Sequence, residues 1–237
     1  KLDIDLLLVG YAGAGPYPQC FVFDNEDEKV KAAKAKERQF LKQAVEYISL
    51  VTPSHFAPFA GTYTLGSRLA KLTNYRGVPS VSYATEYLNE AVKGASKGIH
   101  LEQFDTFDCM SGVITKSGMT FDLSREQYVE KISKEALDYD NDNWNDEELV
   151  DLIVQAHKRF KSKAEEVEFK SATKLVVRSE NIAFQLGTDS EVEIIPVDSN
   201  LNEPYVRIDV DHNLLHRLLR GPRYAHWNNA EIGSHLT

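Results

Sequence analysis

Gly10-Tyr11-Ala12-Gly13-Ala14-Gly15-Pro16-Tyr17-Pro18 and, one helix later, Pro58-Phe59-Ala60-Gly61-Thr62-Tyr63 are two glycine-containing turns, and their reading decides the fold. Each follows a short apolar run, Ile4 to Val9 and His55 to Phe59. The intervening Asp27 to Val51 is long enough for a helix, so the unit reads strand, turn, helix, strand, turn. The spacing Gly10, Gly13, Gly15 is not a dinucleotide fingerprint, because Pro16 and Pro18 keep the turn from opening into a phosphate-capping helix. In α/β units of this kind ligands gather at the carboxyl ends of the strands. The polar aromatics and cations beside the two turns, Tyr11, Tyr17, Tyr63, Arg68, Tyr75 and Arg76, are therefore the substrate-binding candidates. A tyrosine offers a rigid face with a hydroxyl and an arginine offers a bidentate fork for phosphate. Each tyrosine has a core reading as well.

The stretches Asp5 to Phe21, Glu37 to Tyr63 and Ser117-Gly118-Met119-Thr120-Phe121-Asp122-Leu123, with a weaker echo in Trp227 to Leu236, resemble the metallo-β-lactamase-fold proteins. The similar branch contains the ascorbate-phosphate lactonases and the cytidine-monophosphate N-acetylneuraminate hydroxylases, and Pro58-Phe59-Ala60-Gly61 resembles the hydroxylases more. The resemblance implies an α/β fold, part of an αββα sandwich over residues 1–124, with a small α+β lobe over 125–237. It implies a metal-dependent, hydrolase-like enzyme with a sugar or nucleotide-sugar substrate. A divalent metal, zinc, iron or manganese, would be held by the N-terminal half of the same protein, where the family carries its His-x-His-x-Asp-His set. A hydroxylase would add a Rieske cluster, whose ligands are not in this segment. The alternative is a scaffold or binding protein that keeps the fold without metals.

The residues themselves predict no metal held by this segment. The seven histidines are scattered at 55, 100, 157, 212, 216, 226 and 235. Only His212 and His216 share a helical face, without the glutamate of a zincin helix, and the pair reads as a polar helix flank with a metal site as the alternative. Cys20 and Cys109 are far apart and supply neither a disulfide framework nor a cluster site. From Asp138 to Leu149 the acidic run fails as an EF-hand, because Asn143 replaces the glycine and Leu149 the final glutamate. It reads instead as a helix start, with Asn145 as N-cap and Glu148 completing a capping-box-like arrangement.

With 237 residues, 42% hydrophobic content and a net charge of −9, the chain has enough apolar material for a core and repels a polyanion, so nucleic acid is a poor partner. No apolar run of membrane-spanning length and no leader pattern occur, which predicts no membrane association and a cytoplasmic setting. The basic residues of 29–42 read as the solvated face of a helix whose apolar stripe is Val30, Ala33, Phe40, Leu41, Ala44 and Ile48. Further helices are expected over Ser82 to Lys93, from Asn145, and from about Asp211 to Gly221-Pro222. Phe104 to Met110 and Met119 to Leu123 read as strands closing the sandwich edge. Leu175 to Val177, Ile182 to Leu186, Val192 to Val197 and Tyr205 to Val210 read as a meander. Arg217, Arg220 and Arg223 complement a helix end, with a phosphate clamp as the alternative. The aromatic and amide-rich tail, Tyr224 to His235, reads as packed beneath the upstream half.

Overall fold

In the computed structural model, which describes residues 3–119, 122–199 and 201–237, the chain is mixed α/β with small sheets. It divides into two compact units, Lys1–Glu135 and Ala136–Thr237.

The first unit realises the strand, turn, helix, strand, turn reading. Strand β1, Leu6–Gly10, leads through the first glycine turn to Asn25, whose side chain accepts the Glu28 N–H at 3.0 Å. That cap starts α1, Glu26–Val51, and Glu26, Asp27 and Glu28 place negative charge against its positive end. Strand β2, His55–Phe59, then pairs parallel to β1 in the register Leu6↔His55 to Gly10↔Phe59. Helix α2, Val81–Ala91, is capped by Ser80 and precedes β3, Lys97–Gly98, which adds to β2 in parallel. One face of this sheet is buried: Val9 and Phe56 pack with Leu41, Ala44 and Ile48 of α1 and Ala84 and Leu88 of α2. Phe40, expected in the buried stripe, is half-buried with its ring against Gly13, and Val30 is also half-buried. The other face leaves Leu8 51% and Phe59 55% exposed.

The expectation for the strands near 104–123 needs correction. Strand β4, Thr106–Asp108, pairs antiparallel with β5, Val113–Thr115, as a separate two-stranded hairpin rather than an extension of the parallel sheet. Within the expected run 119–123, residues 120 and 121 lie outside the described residues. A helix absent from the sequence reading, α3, Arg125–Ser133, follows a capping box of Ser124 and Gln127 and stays with the first unit.

In the second unit a 3-10 turn, Asp146–Glu148, capped by Asn145, feeds α4, Leu149–Glu166. The box with Glu148 does not form: Asn145 Oδ1 accepts the Glu147 N–H at 3.0 Å, and the Glu148 carboxylate accepts from Arg220 at 2.9 Å. Strands β6, Lys174–Arg178, β7, Ala183–Leu186, and β8, Glu193–Ile195, form the expected meander. The fourth, β9, Tyr205–Asp209, departs from it by returning to pair parallel with β6, giving the order β8-β7-β6-β9. Arg178 and Asp209, opposite each other in that register, form a two-pronged ion pair with both bonds at 2.7 Å.

Helix α5, His212–Arg220, begins where Asp211 accepts the N–H groups of Asn213 and Leu214, and it stops at Gly221, whose φ of 106° suits glycine. Leu214, Leu215, Leu218 and Leu219 are buried with Leu149, Ile153, Val177 and Phe184. Helix α6, Trp227–Ile232, carries Ala230 into the same core. The chain then closes on itself, with Leu236 buried and Asp209 and Thr237 exchanging backbone hydrogen bonds at 2.7 and 3.0 Å. Of the tail, Ala230, Ser234 and Leu236 are buried in this unit, whereas Tyr224 and Ile232 stay exposed. Among the described residues no helix is long and apolar enough to cross a membrane.

Candidate functional site

Two constellations hold the chemistry-bearing side chains, one in each unit. In the first, the parallel register sets Gly10 opposite Phe59, so both glycine turns leave the sheet side by side. The first turn is fastened from within. Lys36 of α1 donates its ammonium to the carbonyls of Gly15 at 3.2 Å and Tyr17 at 2.7 Å, and Gln19 Nε2 donates to Gly15 O at 3.0 Å. Gln19 also reaches the Tyr63 hydroxyl at 3.4 Å, which links the two turns. Arg76 lies over the Tyr63 ring, 4.6 Å from its centroid, and donates to the carbonyls of Tyr63 and Thr73.

This knot is largely shielded from water. Burial, then the Arg76 charge, pushes the Lys36 pKa down, and burial pushes the Tyr63 phenol up and the Arg76 guanidinium down. Outside it, Gly13, Gly15, Tyr17, Lys36 and Phe40 border a cleft of about 380 Å³ between the first turn and α1.

The six sequence-predicted residues separate into distinct places. Tyr11 is 1% exposed, its hydroxyl shares a hydrogen bond with Thr62 Oγ1 at 2.9 Å, and its ring lies against Gly61, so it is a core tyrosine. Tyr63 and Arg76 meet in the knot. Tyr17 stands at the cleft, 46% exposed, with Phe21 edge-on to its ring. Arg68 is exposed on the 3-10 helix Ser67–Tyr75. At the end of that helix Tyr75 donates its hydroxyl to Glu26 at 2.5 Å beneath the Lys29 ammonium, apart from the others. Lys36 and Gln19 were missed. The signal for Lys36 was its place among apolar neighbours of the α1 stripe, where a lysine must find partners.

The second constellation was only half anticipated. His212 and His216 do project from one face of α5, and Asp146 from the 3-10 turn meets both. Its Oδ1 lies 2.8 Å from His212 Nε2 and 3.1 Å from His216 Nε2. His212 Nδ1 is 3.4 Å from Ser179 Oγ, whereas the buried His216 Nδ1 has no hydrogen-bond partner. The Trp144 indole stacks on the His216 ring at 6.0 Å and 10°, and Arg220 lies 4.5 Å from the indole centroid. Burial pushes the His216 pKa down, against the pull of Asp146, and the two imidazoles hold the Asp146 carboxyl below its ordinary value.

The arginines beside this group are committed to carboxylates. Arg217 bonds Asp142 through Nε at 2.6 Å and Nη2 at 2.9 Å and Asp138 through Nη1 at 2.6 Å, which raises its pKa and lowers that of Asp142. The phosphate-clamp alternative therefore loses Arg217 and Arg220, which hold the acidic run against α5. The same unit contains a mainly apolar cavity of about 590 Å³, with Ile153, Phe160, Phe184, Leu219 and Trp227 among its walls. No protein-family profile, curated protein or solved structure matches the chain.

Proposed function

We propose that the chain is part of a metal-dependent enzyme of metallo-β-lactamase type, acting on a small sugar-like substrate that carries a phosphate or nucleotide. The observation that carries this reading is the parallel β1–β2 pair, whose two glycine turns emerge together at the carboxyl end of the sheet. There Tyr17 offers its hydroxyl at the cleft between the first turn and α1, and the half-buried Tyr63 offers one between the two turns. The exposed Leu8 and Phe59 support the same reading, since parallel sheets are ordinarily covered on both faces and a preceding half-sandwich would supply the second cover. In this reading the reaction's zinc, iron or manganese is bound by His and Asp residues of that preceding half. A hydroxylase would use a Rieske cluster in addition.

The scaffold reading is favoured by a different observation. Lys36 and Arg76, the cations nearest the turns, donate to backbone carbonyls, which suits holding a shape as well as holding a ligand. Tyr63→Phe in the full-length protein separates the two. It removes one hydroxyl, whose partner Gln19 sits at a long 3.4 Å, and almost no packing volume. The enzyme reading expects turnover or binding of a sugar phosphate or nucleotide sugar to weaken by about 1–2 kcal/mol with an unchanged melting temperature. Lower stability with unchanged kinetics would remove Tyr63 from the site.

A further inference from the structure

We propose that Asp146, His212 and His216 form a binding site for a divalent transition-metal ion of the zinc class, with its open coordination position on the solvent side. The site lies wholly in the second unit and is independent of the reading above, which assigns the reaction's metal to a preceding segment. It reverses the expectation that this segment holds none.

The donor set is the first argument. Two imidazole nitrogens and one carboxylate oxygen suit zinc and its neighbours, and three protein ligands leave a fourth tetrahedral position for water. All three ligand atoms lie within 4.8 Å of one another. A tetrahedral ion with bonds of 2.0–2.1 Å holds its ligand atoms roughly 3.3 Å apart. The observed 2.8 and 3.1 Å between Asp146 Oδ1 and the two Nε2 atoms therefore need to open by only a few tenths of an ångström.

The second argument is how the ligands are held. Asp211 caps α5 and fixes His212 at its first turn, and His216 follows four residues later on the same face. Asn145 caps the turn that presents Asp146. Trp144 stacks on His216, and Ser179 stands at His212 Nδ1 as an outer partner of the kind that orients ligating histidines. His216 is fully buried, while the Asp146 side chain is 61% exposed, so the ion would be reached from the Asp146 side.

The third argument comes from hydrogen positions. For both imidazoles to bond one carboxylate oxygen, both must carry their proton on Nε2, and this leaves the buried His216 Nδ1 as an acceptor without a donor. With a metal at the centre each neutral imidazole carries its proton on Nδ1 and turns its Nε2 lone pair to the ion. The buried His216 Nδ1 then becomes a donor without an acceptor, so the affinity should fall below that of a closed four-ligand site with a complete outer shell.

Titration of the untagged 237-residue chain with zinc chloride against a chromophoric chelator reads the site directly. One equivalent is expected, with a rise in melting temperature on binding. Asp146→Ala and His212→Ala, both at partly exposed positions, should each weaken binding at least about 100-fold, since a lost ligand costs no less than a lost outer partner. His226→Ala, an exposed histidine outside the cluster, should bind like the parent chain. Failure of the parent chain to take up one equivalent, or equal binding by the Asp146→Ala and His212→Ala double variant, overturns the site. Neither result bears on Tyr63, so the two readings fail separately.

Discussion

A methyl group added at Gly61 would sit 2.2 Å from the Tyr11 ring, and one at Gly13 would sit 2.3 Å from Phe40, whereas Gly10 and Gly15 have nothing within 4 Å of that position. Glycine in the two turns therefore does different work at different positions. At Gly61 it lets the chain pass over a buried aromatic ring. Gly61→Ala is expected to cost about 1–3 kcal/mol through overpacking, while Gly15→Ala should stay within about 0.5 kcal/mol. Urea unfolding of both variants checks the pair, and equal stabilities would show that Tyr11 can move aside. The glycines were legible in the sequence, but which of them carries a close approach was not, because that depends on a ring 50 residues away in the chain. The same limit hid half of the histidine cluster. The four-residue spacing of His212 and His216 is visible in the sequence, yet Asp146 is 66 positions from His212 and reads by itself as the start of a helix.

At the scale of elements, Asp105 organises the β4–β5 hairpin. Its carboxylate accepts from Lys116 Nζ at 2.7 Å, from the Ser117 N–H at 3.0 Å and from the Glu102 N–H at 2.9 Å, and these bonds bring its pKa down to about 2. A carboxyl whose folded value lies below the unfolded value of about 3.9 contributes stability that is present above that unfolded value and lost as pH falls through the folded one. The amides of Glu102 and Ser117 should therefore lose hydrogen-exchange protection between about pH 4 and pH 2. Asp105→Asn should show weaker protection at neutral pH and meet the parent chain near pH 2; parallel profiles at every pH would refute the assignment. This hairpin marks where sequence reading stopped working for elements. Long periodic stripes with capping residues located α1, α2, α4 and α5 to within a few residues. Three-residue strands such as β4 and β5, and the two-residue β3, carry no period to read. Pairing order is equally silent: β9 has the alternation of a meander strand, and its parallel return to β6, with Arg178 opposite Asp209, is seen only in the finished sheet.

For the whole molecule, the relevant fact is that each unit has a core of its own. The first buries Val9, Leu41, Ile48, Phe56 and Leu88, and the second buries Leu149, Ile153, Phe184, Leu215 and Leu219. The second also finishes its own boundaries, since its last residues return to β9 through the Asp209–Thr237 bonds and Tyr139 meets His235 Nδ1 at 2.8 Å. Its sheet, its three helices and the proposed metal ligands all fall within Ala136–Thr237. A chain of that size buries enough apolar surface to fold by itself. Expressed alone, residues 136–237 should give a dispersed amide spectrum and a cooperative thermal transition that zinc shifts upward. Leu215→Ala, at a fully buried position, should lower the stability of the fragment by about 2–5 kcal/mol. In the whole chain the same substitution should move one melting transition and leave the other in place. A fragment without cooperative unfolding, or a whole chain in which Leu215→Ala shifts every transition together, would mean that the two cores are stabilised as one.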